Sequence, residues 1–412
     1  MRISTSLINL RAVTRITDQQ SALSALQQRI SSGRKILSPA DDPAGAAQVV
    51  RLTQAKTMTE QFQRNGGQAN DRLVLEDSVL ASVENSLLRI RELTLQANNS
   101  SLTNVDRSAI AQEIKARTNE LLGLANTRDT NGEYLFSGAQ VNKKPFSQQA
   151  NGSVVYNADQ GQRLIQVSAE RQVADGDPGL KVFMDVIGGN GTFRVRDNSA
   201  NSGSGIIDPG SVSNQAAYVA DTYTITFVTN AGGNLGYNVV GASSGQIIPP
   251  LPQNPVTNAP DFTSEAAITF NGINTSITGI PAVGDTFAIT PATRQDIFSI
   301  AQNLSAALET TASSDADVAK ILNVTTRSIL DIDQAFDHIT QFRAMIGARL
   351  NTLDDQQQVN DAFLIETQAT LSEVQDLDLV SAITELQQRS AALQAAQASF
   401  VRIQGLSIFD FL

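Results

Sequence analysis

Residues 315–375, DADVAKILNVTTRSILDIDQAFDHITQFRAMIGARLNTLDDQQQVNDAFLIETQATLSEVQ, decide the fold of this chain. From Val318 onward the apolar residues recur at alternating steps of four and three, which is the heptad pattern of a helix with one apolar stripe. About sixty residues at ~1.5 Å each make a rod ~90 Å long, far longer than an ordinary globular core needs. A rod with an apolar stripe must lie against other rods, so the pattern points first to assembly.

The composition excludes several classes of function. The 412 residues carry a net charge of −11, which disfavours binding to nucleic acid or to an anionic membrane. There is no cysteine, so neither a disulfide framework nor thiolate chemistry is expected. The N-terminus has no apolar core typical of a signal peptide, and no run approaches the roughly 18 apolar residues of a membrane span. By themselves these features predict a soluble cytoplasmic protein without membrane insertion.

The first part of the chain predicts three helices. Residues 1–37 read as a basic amphipathic helix that awaits a partner, although such a segment can also bind a membrane or act as a transit sequence. Asp42 is a predicted N-cap, with Pro43 at the first position of a helix that runs to about residue 97. Another helix follows from about residue 104. The predicted seam of these rods and of the long helix comprises Leu73, Leu80, Leu87, Ile329, Ile332, Phe336, Ile339 and Leu350.

The middle of the chain has a different composition. Residues 184–291 hold 14 of the 27 glycines and 8 of the 12 prolines, and short alternating runs recur between them. This pattern predicts a small all-β insertion domain. Before it, residues 154–156 and 163–167 are predicted to form a hairpin across residues 158–161, and Gly188–Gly191 is predicted to be a second hairpin turn.

The end of the chain returns to helices. A helix from about residue 294 to 309 precedes the long rod, and Asp376-Leu377-Asp378 breaks the phase of the heptads, which predicts a joint. The last segment is amphipathic and resembles a partner for the first one. The predicted fold is therefore mainly α, with long antiparallel rods, paired terminal helices and an all-β domain at the far end. The predicted domains are 1–42 with 377–412, 43–183 with 292–376, and 184–291.

No catalytic, cofactor or metal site emerges from the sequence. The single histidine, His338, lies between seam positions and is expected to be a helix-surface residue. Neighbouring carboxylates such as Asp331 and Asp333 diverge on a helix and cannot chelate one cation. Asp175-Gly176-Asp177 is a better loop candidate for calcium, but it lacks a full set of oxygen donors, so a turn is expected. We therefore expect neither an enzyme nor a cofactor.

Several motifs at the two ends resemble one family. Residues 28–34 (QRISSGR) and 40–46 (ADDPAGA) are similar to the N-terminal signature of bacterial flagellins. The sequence EYLFSG at 133–138 resembles the turn after the family's N-terminal helices, and GARLN at 347–351 resembles its C-terminal helix motif. Further similarity covers residues 379–397 and 406–412, whereas the middle domain is not covered.

Three short features favour a hook-associated member of the family over a filament flagellin. The chain begins Met-Arg-Ile-Ser-Thr, it has proline after the pair Asp41-Asp42, and residues 284–291 (GDTFAITP) are similar to hook-associated proteins. The resemblance implies a structural protein that is exported without a cleaved signal and lies outside the cell in the flagellum. It implies as partners neighbouring copies in a ring or helical layer, another hook-associated protein on the hook side, flagellin on the filament side, and an export chaperone.

Assembly would then rest on the terminal helices, which we expect to order when subunits pack head-to-tail. The predicted interface comprises Leu7, Leu10, Ile16, Leu23, Ile30, Val380, Ile383, Leu386, Leu393, Phe400 and Ile403. The alternatives are a filament flagellin, an adhesin or glycan-cleaving enzyme carried on the β domain, and a generic coiled-coil fibre.

Overall fold

The computed structural model of the chain describes the backbone of residues 5–405 and the side chains of residues 7 and 9–402. Its architecture confirms the predicted class, which is mainly α with a strand-rich insertion. The helices are α1 (Thr5–Ser32), α2 (Pro43–Ala97), α3 (Asn104–Ala125), α4 (Gly179–Phe183), α5 (Ile297–Glu309), α6 (Asp315–Gln375) and α7 (Leu379–Gly405).

Short strands occupy the chain between α3 and α5. In order they are β1 (Phe146–Gln148), β2 (Val154–Tyr156), β3 (Leu164–Gln166), β4 (Gln172–Ala174), β5 (Val186–Ile187), β6 (Phe193–Asp197), β7 (Ile206–Ile207), β8 (Ser211–Val212), β9 (Tyr223–Thr229), β10 (Leu235–Gly241), β11 (Gly245–Ile248), β12 (Ile268–Phe270), β13 (Ile273–Thr275), β14 (Ile277–Thr278), β15 (Thr286–Pro291) and β16 (Arg294–Gln295).

The chain forms two compact units. The first comprises residues 1–65, 167–170 and 355–412, and the second comprises residues 66–166 and 171–354. The predicted terminal domain falls within the first unit. The predicted β domain falls within the second, and the predicted rod domain contributes to both. The three-domain boundaries drawn from the sequence stay predictions.

In the first unit, α1 packs against α7. The joint predicted at Asp376-Leu377-Asp378 is present, because α6 ends at Gln375 and α7 begins at Leu379. Asp378 caps α7, since its Oδ1 accepts hydrogen bonds from the amides of Val380 (3.0 Å) and Ser381 (3.2 Å).

The second unit contains a helical core and a β core. In the helical part, α3 packs against α5, and α5 is amphipathic and buries one face. Four phenylalanines pack in edge-to-face, tilted and stacked pairs around the start of α5, with ring centroids 4.9–6.1 Å apart, and they hold α4 and the β1–β2 hairpin against it. They are Phe136, Phe146, Phe183 and Phe298.

The β core is built on a five-stranded antiparallel sheet in the order β11-β10-β9-β15-β6. Alternate side chains of β9 are buried, as the alternating sequence predicts for a strand with one face on a core. A three-stranded sheet, β12-β13-β8, completes the core. The largest buried side chains here are Phe193, Tyr223, Phe227 and Phe287.

Two local predictions were wrong. The strand at 154–156 pairs with β1 across Asn151-Gly152, not with residues 163–167, because Gly152 (φ +89°) supplies the turn. Residues 163–167 instead contribute β3, which pairs with β4. Gly188–Gly191 does not join a hairpin, since β5 pairs with β16 and β6 with β15. The helix predicted from about residue 294 to 309 is present as α5, and it begins at Ile297 because Asp296 caps it and accepts from the Ser299 amide (2.6 Å).

Candidate assembly surface

The terminal helices of the first unit bury little of their apolar surface. Within the described side chains of α1 and α7, Leu26 and Ala382 are the buried apolar ones, at 6% and 4% exposure. The sequence gave no signal for Ala382, because an alanine is common on both faces of a helix. Most of the apolar residues on these helices are therefore available to something outside the chain.

The predicted interface residues divide into two sets. Four are exposed, namely Leu7 (41%), Leu10 (64%), Val380 (77%) and Ile383 (45%). Six are half-buried, namely Ile16, Leu23, Ile30, Leu386, Leu393 and Phe400. The side chain of Ile403 lies outside the described residues. Val13 (47%), Leu379 (48%) and Val401 (67%) add to the exposed set, so apolar side chains recur along both helices.

A hydrogen-bonded loop fastens the end of α1 to the end of α6. The Lys35 amide donates to the Gln375 carbonyl (2.7 Å), and the Leu377 amide donates to the Gly33 carbonyl (3.0 Å). Gly33 has φ +68°, a left-handed conformation that favours glycine and ends the helix. The short bridge fixes where α7 leaves α6 relative to α1, so the end of α1 lies beside the start of α7.

The acidic pair in this loop has two separate roles. Asp41 Oδ2 accepts from the Ser38 amide (2.8 Å), and Oδ1 accepts from the Arg29 guanidinium (3.0 Å). These contacts, led by the Ser38 amide, lower the pKa of Asp41. Asp42 is the N-cap of α2, as predicted, with its Oδ1 accepting from the amides of Ala44 (3.1 Å) and Gly45 (3.0 Å).

Gly45→Ala is expected to displace this cap. A Cβ at position 45 would lie 2.4 Å from Asp42 Oδ2 and 2.6 Å from Ile36 Cδ1, so the carboxylate must leave the helix end. Loss of an N-cap costs about 0.5–2 kcal/mol. Hydrogen exchange should show faster exchange of the first-turn amides of α2.

Gly66→Ala is the matched control, because it makes the same change in the interior of the same helix. Nothing lies within 4 Å of a Cβ there, and alanine favours helix over glycine by about 1 kcal/mol. Equal exchange rates at the first turn in both variants would contradict the assigned role of Gly45.

The rod seam is mostly buried in the second unit. Leu73, Leu80, Leu87, Ile332 and Ile339 are each at most 2% exposed. Ile329, Phe336 and Leu350 are half-buried. A further buried column of α6 lies one residue before the half-buried seam positions Ile329 and Phe336. It comprises Ser328, Ala335 and Phe342. Sequence reasoning missed this column because a serine and an alanine carry no apolar signal.

A cluster of buried ion pairs lies beside the seam, and sequence reasoning missed it. Arg72, only 6% exposed, donates from Nη1 to Asp129 Oδ2 (2.7 Å) and from Nη2 to the Tyr134 carbonyl (2.7 Å). Arg163 pairs with Asp175 and with Glu133 (3.1 Å). Asp175, in the segment where the sequence predicts a turn, is buried at 2% exposure. Charge-assisted hydrogen bonds from Arg72 to the Tyr134 carbonyl and from Arg163 to Glu133 thus hold the EYLFSG segment in place.

Asp177 and Glu76 form the deepest part of the same cluster. Arg349 of the GARLN segment binds both oxygens of Asp177 at 2.9 Å, a bidentate pair. The Asp177 amide donates to Glu76 Oε1 at 3.1 Å. Glu76 is fully buried, and its Oε2 has no hydrogen-bond partner among the described residues. Burial, and then the nearby charge of Asp177, raise the pKa of Glu76 well above its usual value.

Glu76→Gln should flatten the dependence of stability on pH. An acid with a raised pKa in the folded state binds its proton more tightly there than in the unfolded chain. Its contribution to stability is therefore present below the unfolded pKa of 4.5 and is lost as pH rises toward the folded value. Relative to the parent, the variant should gain up to about 1.4 kcal/mol per pH unit while Glu76 titrates. Urea unfolding from pH 5 to pH 8 measures this, and parallel profiles of the two proteins would contradict it.

The described residues contain neither a cluster of metal ligands nor a membrane-spanning helix. No group of three or more His, Asp or Glu side chains there is placed to hold a metal ion. His338 is partly buried and its Nε2 lies 2.8 Å from the Lys181 carbonyl, a contact that joins α6 to α4. No helix in residues 5–405 is both long enough and apolar enough to cross a membrane.

Comparison with known proteins gives consistent relatives. Residues 3–141 match the bacterial flagellin N-terminal helical region. A hook-associated protein-3 from Legionella pneumophila superposes with a TM-score of 0.76 at 38% identity, covering 79% of this chain and 98% of that one. FlgL from Xanthomonas campestris gives 0.70 at 30% identity, covering 78% and 99%. Flagellar hook-associated protein 3 of Escherichia coli K12 is 33% identical over 183 residues, 44% of this chain, and the match spans only 57% of that relative.

Proposed function

We propose, since this chain belongs to the family of flagellar hook-associated protein 3, that it is a structural subunit of the bacterial flagellum forming a junction layer between hook and filament. The observation that carries the proposal is the terminal helix pair. Its two helices leave apolar side chains exposed along their length, and the hydrogen bonds between residues 33–35 and 375–377 hold the end of α1 beside the start of α7. A surface of this kind suits neighbouring copies of the same chain.

The layer would be held by head-to-tail contacts between terminal helix pairs. Each leucine, isoleucine or phenylalanine that a neighbour covers contributes about 1.5–3 kcal/mol when fully buried. Ordering the helices costs about 1–2 kcal/mol per residue, so an isolated subunit gains little by fixing them. In this layer the predicted interface residues form the surface through which neighbouring subunits touch. A heterologous contact that repeats from one subunit to the next arranges the subunits around a helical axis.

The partners follow from the proposed position. One edge of the layer would contact another hook-associated protein, and the other edge would contact flagellin. The subunit would be exported through the flagellar channel without a cleaved signal, with an export chaperone covering the apolar terminal helices beforehand. The chain itself is proposed to carry no enzymatic activity.

Sedimentation of the purified chain, alone and with isolated hooks, tests this function. A junction subunit stays soluble alone at high concentration and co-sediments with hooks up to a fixed number of copies per hook. Binding that continues without saturation, or no binding to hooks at all, would contradict the proposal.

A filament flagellin is the second candidate, because the N-terminal match is to the bacterial flagellin helical region. Such a subunit would extend seeds made from itself into long filaments. Electron microscopy of the same samples separates the two candidates by the length of the added material.

A further inference from the structure

The second unit contains a cavity of about 290 Å³ whose wall is unusually basic. Strand β6 contributes Arg194 and Arg196, which are the two basic residues of the β domain, and α6 contributes Arg327. Asp331 of α6 is the acidic residue in the wall. Three guanidinium groups therefore converge on one space in a chain whose net charge is −11.

These arginines are poorly paired in comparison with others in the same unit. Arg343 contacts Asp77 at 2.8 Å and Glu84 at 2.6 Å. In the cavity, by contrast, Arg194 donates to two neutral oxygens, Thr293 Oγ1 (3.1 Å) and Gln295 Oε1 (3.3 Å).

The other two cavity arginines are no better compensated. Arg327 has one long contact of 3.4 Å to Asp197. Arg196 is exposed, and its guanidinium has no hydrogen bond or ion pair within residues 5–405, although its backbone pairs with Ala288 of β15. The positive charge in the wall is therefore not balanced by the residues around it.

The electrostatics of Arg194 agree with this imbalance. Burial, and then repulsion from Arg196, lower the pKa of Arg194, whereas ion pairing raises the pKa of Arg343. Two donors beside the cavity, Arg194 Nε and Gln295 Nε2, are buried without a hydrogen-bond partner among the described side chains. Asp331, whose Oδ1 accepts from the Gly189 amide at 2.6 Å, offsets part of this because its negative charge acts to raise the pKa of Arg194, but it is one carboxylate facing three arginines. An added negative charge would stabilise this wall.

We propose that this cavity, between β6, α5 and α6, binds an oxyanion with two or more acceptor oxygens. Guanidinium groups bind carboxylate, sulfate and phosphate through paired hydrogen bonds. The oxyanion can come from a free small anion or from an Asp or Glu side chain of a second copy of this chain, because copies with a net charge of −11 present many carboxylates. The proposal does not depend on the junction function, since binding is measured on the isolated chain.

Calorimetric titration of the full chain with sulfate, at constant ionic strength made up with chloride, tests the site. We expect saturable binding of one sulfate, which Arg196→Gln weakens at least about ten-fold because it removes a charge-assisted bond. Arg196→Lys should restore part of the affinity. Arg196 has no structural partner to lose, so these variants should fold normally, which circular dichroism verifies.

Arg294→Gln is the control, because Arg294 is 62% exposed and lies outside the cavity wall. It should bind sulfate like the parent. Absence of saturable binding, or equal weakening by Arg196→Gln and Arg294→Gln, would overturn the proposal.

Analytical ultracentrifugation then separates the two sources. If a neighbour's carboxylate is the occupant, sulfate should dissociate self-associated chains, and Arg196→Gln should associate more weakly. If self-association is insensitive to sulfate while calorimetry shows binding, the occupant is a free anion. Both results support the oxyanion site, and a failed titration rejects it.

Discussion

Replacing Arg349 with methionine should destabilise the second unit by about 3–5 kcal/mol. Methionine keeps the apolar stem but removes the guanidinium that binds both oxygens of Asp177. Asp177, at 2% exposure, is then left with the neutral Gln162 amide (2.7 Å) and no cation, beside Glu76, which is fully buried. Two carboxylates in one dry site cannot both stay ionised without a large cost. Urea unfolding followed by circular dichroism measures the loss.

Arg89→Met is the matched control for that experiment. Arg89 also contacts two carboxylates, Glu92 at 2.9 Å and Glu113 at 2.8 Å, but its side chain is 44% exposed. Exposed ion pairs contribute about 0–1 kcal/mol. Equal losses from both substitutions would show that burial is not what makes the Arg349 pair important.

Leu393→Asp should abolish assembly and leave the second unit folded. Leu393 lies half-buried on α7, so a carboxylate there opposes both the pairing with α1 and the covering of the helices by a neighbour. Each buried leucine contributes about 1.5–3 kcal/mol, and in a ring the loss recurs at every contact. Co-sedimentation with hooks measures assembly, and circular dichroism checks the fold.

Leu88→Asp provides the comparison, since it makes the same chemical change at an exposed leucine of the second unit (42%). This variant should still bind hooks. A Leu393→Asp protein that assembles normally, or one whose second unit is unfolded, would refute the assembly role of α7.

The rods, the joint and the β strands could be predicted because their signals are local. Heptad spacing predicts that Ile332 and Ile339 lie on one buried face of the long helix. The alternation of apolar and polar residues predicts the strand that the structure shows as β9. The phase break at residues 376–378 marks the joint because it interrupts a long regular pattern. The cap at Asp42 was also predictable, since its function depends only on the next three residues.

The buried ion pairs could not be predicted in this way. Asp177 and Arg349 are separated by 172 positions, and helix spacing rules apply only to residues a turn or two apart. The aspartates of residues 175–177 were interpreted as part of a turn, because no local pattern shows that Arg72, Arg163 and Arg349 approach them from other parts of the chain. The pairing of β1 with β2 was missed for a related reason, since two turn signals competed for the same strand.

Immunogold electron microscopy of an epitope-tagged chain in flagellated cells tests the central proposal most directly. The turn between β9 and β10 is suited to the tag, because residues 231–234 are exposed and a Cβ on Gly233 meets nothing within 4 Å. The junction function predicts a single narrow band of gold where the hook ends and the filament begins. Gold along the whole filament would contradict it and identify a flagellin, and gold confined to the cell surface would place the chain outside the flagellum.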